Sequence, residues 1–99
     1  MKVRRGDRFN LRTQGLALAR VTTKHGVRPG DFVVISGLEM ERNTPLYTLG
    51  RRTRTPGRSV TPVARCLDLG GTAGDIVTVD VGTFGGDITN WLMARGIIR

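Results

Sequence analysis

The side chains that could do chemistry in this chain are few, and their types limit what that chemistry is. There are six aspartates, two glutamates, one histidine, one cysteine and 14 arginines among 99 residues. Four of the aspartates, Asp7, Asp31, Asp75 and Asp87, directly follow a glycine. At such a position a carboxylate bonds the backbone amides of its own turn or of a helix start. Asp68 and Asp80 stand alone, with no histidine near them in sequence. His25 has no second histidine and no carboxylate motif beside it, so it reads as a surface residue rather than as a metal ligand or general base. Cys66 is the sole thiol, which excludes an internal disulfide and a cysteine metal site. Residues 82–86 hold three glycines but no following Lys-Ser or Lys-Thr, so they are not a phosphate loop. The expectation is a non-enzymatic protein with no cofactor and no metal.

The arginines are the exception. Arg51, Arg52, Arg54 and Arg58 fall within eight residues, and four guanidinium groups this close repel one another unless carboxylate or phosphate neutralises them. Charge is segregated along the whole chain: residues 42–67 hold six arginines and no acid, whereas 68–94 hold four acids and no base. Arg4 and Arg5 add a basic leader at residues 1–6, an arm expected either to order on a partner or to stay solvated. A formal net charge of +8 points to a partner with acidic surface or phosphates. Only five aromatics are present and none is interleaved with the arginines, which argues against a stacking platform for single-stranded nucleic acid.

The elements that must hold these groups read as β-structure. Two stretches share the pattern Gly-x-x-x-Gly-Asp followed by β-formers: Gly26 to Asp31 leading into Phe32-Val-Val-Ile-Ser, and Gly70 to Asp75 leading into Ile76-Val-Thr-Val-Asp-Val. The pair Pro29-Gly30 at the centre of residues 28–31 suits a type II turn. Strands are expected at 8–12, 16–23, 32–36, 46–49, 60–67 and 75–81. Residues 16–23 start Leu-Ala-Leu-Ala, which favours helix, but Val21, Thr22 and Thr23 tip them to strand. Alternation in 60–67 places Cys66 beside Ala64 as a buried thiol, and Pro62 marks an edge or a bulge. Residues 37–45 read as a polar connector interrupted by Met40, and residues 50–59 as an arginine-rich loop. Strands 46–49 and 60–67 would then form a hairpin with that loop at its tip.

Asp87 suits the N-cap of a helix over 88–95 closed by Gly96, with Ile88, Trp91, Leu92 and Arg95 on one face. Residues 87–99 are thus a helix and apolar tail, with Trp91, Ile97 and Ile98 either plugging an open end of the barrel or docking on a neighbouring subunit. Altogether the chain is expected to be one mainly β domain over 1–99, a small barrel or sandwich of six or seven short strands with a short C-terminal helix or arm. No run approaches a membrane span or a signal peptide, so a soluble protein of a reducing compartment is expected.

Gly26-Val-Arg-Pro-Gly-Asp-Phe-Val-Val-Ile-Ser-Gly, Pro62-Val-Ala, Ala73-Gly-Asp-Ile-Val-Thr-Val and the following Gly82-Thr-Phe resemble the small β-barrel decoration, or cement, proteins of tailed-phage capsids. The resemblance implies a virion structural protein that sits on the capsid surface, often as a trimer, and clamps major capsid subunits together after synthesis in the host cytoplasm. It supplies no catalytic residues. The arginine content and the Trp91 tail depart from that pattern and leave the location on the virion open. On this reading Arg4, Arg5, Arg51, Arg52, Arg54, Arg58, Trp91, Ile97 and Ile98 are the candidate contacts. The alternative is a small basic β-barrel that binds nucleic acid.

Overall fold

The computed structural model describes residues 11–54, 56 and 61–98. The strands are β1 (Gly15–Val21), β2 (Phe32–Glu41), β3 (Thr44–Thr53), β4 (Val63–Cys66) and β5 (Ile76–Val81), followed by the helix α1 (Ile88–Ala94). The strands close into a barrel in the order β1-β3-β2-β4-β5. All neighbours are antiparallel except β1 and β3, which run parallel through Ala19–Tyr47, Arg20–Thr48 and Val21–Leu49. The mainly β expectation holds, with five strands among the described residues.

Alternation along the strands builds the core. Ala19 and Val21, Val33 and Ile35, Tyr47 and Leu49, Ala64 and Cys66, and Val77, Val79 and Val81 are all buried inside the barrel. Ile88, Leu92 and Ile98 join the same cluster, with Trp91 and Ile97 packed against it. Asp87 accepts the Asn90 amide at 3.2 Å as the N-cap, and Gly96 follows the helix at φ +69°. The tail thus finds its home in its own barrel, and Ile98 has little surface left for a neighbour.

Both Gly-Asp units fold alike. Gly30 and Gly74 lie at φ +92° and +99°, as the third position of a type II turn demands. Asp31 accepts the Arg28 amide at 2.9 Å, and Asp75 accepts the Thr72 amide at 3.1 Å. Each corner then exchanges two backbone bonds with the end of another strand. Gly30 N donates to Cys66 O and Cys66 N to Asp31 O; Gly74 N donates to Val21 O and Val21 N to Asp75 O. The two units meet back to back through reciprocal Val27–Gly70 bonds of 2.8 and 2.9 Å.

Five expectations are corrected. Residues 37–45 are no connector but the arms of the β2–β3 hairpin, turned by Arg42 and Asn43 at φ +49° and +65°. Leu38 and Met40 face the core, while Arg20 of β1 holds Glu39 and Glu41 on the outside. The loop over 50–59 starts later than expected, because β3 continues through Thr53 and carries Arg51 and Arg52. Strands β3 and β4 do not pair; β4 lies between β2 and β5, so the expected hairpin is absent. In the strand expected over 60–67, residues 63–66 form β4, Pro62 and Leu67 lie outside it, and residue 60 falls outside the described residues. Of the strand expected at 8–12, Leu11 and Arg12 carry no strand, and the rest lies outside the described residues.

Candidate functional site

One end of the barrel collects the basic side chains. β3 ends there at Thr53, paired with Phe32 at the start of β2, and Phe32 pairs in turn with Arg65 of β4. Directly opposed residues share a sheet face, so Arg65 lies on the outer surface one strand, about 5 Å, from Phe32. Gly30, Asp31, Phe32, Arg52, Thr53 and Arg54 line an open groove of about 420 Å³. Arg28 stands two residues before Gly30, exposed in the type II corner.

The acids at this end are engaged in folding. Asp31 holds its own turn and lies 3.8 Å from Arg52 Nη1. Asp68 accepts the Thr78 amide at 2.8 Å, and Asp75 accepts both the amide and the hydroxyl of Thr72. Arg28, Arg51, Arg54 and Arg65 make no ion pair among the described residues, although Asp80 of β5 lies across from Arg65. The contrast is Arg20, whose pKa is raised, above all by its hydrogen bond to Glu39. Arg95 lies 4.4 Å above the Trp91 ring and is likewise occupied.

The structure therefore brings Arg51, Arg52 and Arg54 of the expected set to one rim. Trp91, Ile97 and Ile98 belong to the helix-and-tail packing instead. Arg4, Arg5 and Arg58 lie outside the described residues. Arg28 and Arg65 are additions. Arg28 was signalled by its place inside the Gly-Asp corner, and Arg65 by its alternation between buried Ala64 and Cys66.

Chemically, the guanidinium groups of the rim suit oxyanions. His25 is exposed, as expected for a surface residue. Cys66 is buried, its thiol pushed up chiefly by loss of solvent, and its Sγ lies 3.0 Å from the Asp68 carbonyl. Among the described residues no group of three His, Cys, Asp or Glu could hold a metal ion, and no helix is long and apolar enough to cross a membrane. Phe32 packs against Phe84 in a tilted pair, centroids 5.4 Å apart, and is half-buried, so its ring is engaged within the molecule. Comparison with protein-family models, curated proteins and solved structures finds no match to this chain.

Proposed function

We propose that this protein is a non-enzymatic virion structural protein, a decoration or cement protein that holds capsid subunits together through its arginine rim. The observation that carries the reading is the rim itself: four arginines that make no ion pair among the described residues, set on a closed barrel. A rigid support lowers the ordering cost of binding, and guanidinium groups match carboxylates in bidentate geometry. An acidic capsid surface is the partner that this chemistry and the family resemblance jointly favour. A homo-oligomer, a trimer by that resemblance, would multiply weak rim contacts into firm attachment.

Nucleic acid is the second reading, because the same arginines suit phosphate. It is the weaker one, since Phe32 packs at a tilt against Phe84 rather than being offered to a base.

Mass photometry of the protein alone and mixed with empty tailed-phage capsids tests the proposal. The expected result is added mass on the capsids, and an Arg52→Glu, Arg54→Glu variant that binds at least about tenfold more weakly through lost charge pairing. Retention on a nucleic-acid column that moderate salt abolishes, together with no capsid binding, would overturn it.

A further inference from the structure

A second surface lies at the opposite end of the barrel and has a different character. β1 and β3 pair only through residues 19–21 and 47–49, then splay apart toward their N-terminal ends. Along Gly15, Leu16, Ala17 and Leu18, β1 keeps β5 as its neighbour on one side. On the other side it has no strand partner among the described residues. The barrel is closed, yet it contains a short open seam.

The direction of the backbone groups follows from the register. Val21 exchanges both of its backbone bonds with the start of the β5 segment, at Gly74 and Asp75. Antiparallel pairing alternates, so Ala19, Ala17 and Gly15 also turn their N–H and C=O toward β5. The N–H and C=O of Leu16 and the N–H of Leu18 therefore face the seam, while the Leu18 carbonyl meets Tyr47 in the first rung of the parallel ladder with β3. Pairing with β3 begins only at Ala19, which leaves the amides of Leu16 and Leu18 without a ladder partner among the described residues.

The seam is also greasy and basic. Leu11, Leu16, Leu18, Pro45 and Tyr47 line a groove of about 370 Å³. It shares Leu18 and Thr44 with a second groove of about 280 Å³ that reaches Leu46 and Ile76. Leu16, Leu18 and Ile76 are 59%, 41% and 50% exposed, unusual for large aliphatic residues so close together. Arg12 and Arg42 border these grooves with no acidic partner among the described residues. Of the two carboxylates beside the seam, Glu41 is already bonded to Arg20, and Asp80 stands across from Leu16 on the β5 side, away from Arg12 and Arg42 in the grooves.

We propose that this seam binds an extended acidic–apolar segment of a partner protein by strand addition alongside Leu16 and Leu18. Main-chain bonds to those two residues would supply the pairing. Alternate apolar side chains would cover Leu16, Leu18 and Ile76, and acidic ones between them would meet Arg12 and Arg42. A second copy of this chain is disfavoured as the occupant by its net charge of +8. The site is separate from the arginine rim and stands whether or not that rim binds a capsid.

The test uses the full chain, isotope-labelled for NMR, and a blocked heptapeptide alternating valine and glutamate. The expected result is slowed exchange and shifted resonances at the Leu16 and Leu18 amides. A valine–lysine counterpart should bind at least about fivefold more weakly, and the Arg12→Glu, Arg42→Glu variant should reverse that preference. Leu16→Pro deletes one seam-facing donor without touching the β5 ladder and should weaken binding. Should that variant fail to fold, the charge-reversal pair decides the matter. Shifts confined to Arg52 and Arg54, or equal binding of both peptides, would overturn the proposal. So would protection of the two amides in the free protein that disappears when residues 1–10 are deleted or when the protein is diluted, since the occupant would then be the chain itself.

Discussion

Tyr47 is the only tyrosine, and its ring lies in the barrel core while its hydroxyl donates to the Arg12 carbonyl at 2.6 Å. Loss of solvent around the phenol raises its pKa, because the phenolate would have to form in a poorly solvated place. The Cys66 thiol is raised for the same chief reason. Both groups hold their protons more tightly in the folded chain than in the unfolded one. Their contributions to stability are therefore complete at neutral pH and are lost as the unfolded chain begins to ionise. Urea midpoints should fall above about pH 8.5, where an unfolded cysteine titrates, and fall more steeply above about pH 10, where an unfolded tyrosine joins. Tyr47→Phe should lower stability by about 1 kcal/mol at pH 7 through the lost hydrogen bond, yet remove the steeper decline. An unchanged alkaline limb in that variant would mean that the phenol is not the group being titrated.

Elements show where local chemistry agrees with the fold and where it concedes. The β2–β3 hairpin turns on Arg42 and Asn43, both at positive φ, a conformation that two-residue hairpins require and that arginine adopts at a penalty. Replacing the pair by Asn-Gly (Arg42→Asn with Asn43→Gly) should stabilise the protein by about 0.5–1 kcal/mol, read as a higher melting temperature. The same hairpin explains what the sequence hid. Gly37, two glutamates and a turn without glycine look like a polar connector, and only Arg20, distant in sequence, makes Glu39 and Glu41 fit the outer wall. By contrast, Ile76–Val81 and Ile88–Ala94 were legible almost to the residue, because a β-branched run after Gly-Asp and an Asp87 cap are local signals. Strand order was not legible, since β4 reaches β2 and β5 through contacts no local pattern specifies. The arginine rim was half legible for the same reason. Arg51, Arg52 and Arg54 are neighbours in sequence, whereas Arg65 joins them only through the register of β2 with β4, and Arg28 through the corner that leads into β2.

At the scale of the whole molecule, the two Gly-Asp corners act as one clasp. A Cβ placed on Gly26, which lies at φ +71°, would stand 2.3 Å from the Gly70 carbonyl oxygen and 2.9 Å from that of Gly71. Both obstacles are backbone, so no side chain can rotate out of the way. Gly74, the turn glycine of the second unit at φ +99°, has open space where its Cβ would go. Gly74→Ala should therefore carry conformational strain alone, about 1–2 kcal/mol. Gly26→Ala adds a steric clash at the junction of the two units and should cost more, about 3 kcal/mol or above. The clasp bonds to the ends of β1 and β4, and through them to every strand of the barrel, so the loss should be global. Trp91 fluorescence, which reports on the helix, and reaction of the buried Cys66 thiol, which reports on β4, should show one shared urea transition displaced equally in Gly26→Ala. Two separated transitions would mean that the clasp opens on its own while the helix and the rest of the barrel stay folded.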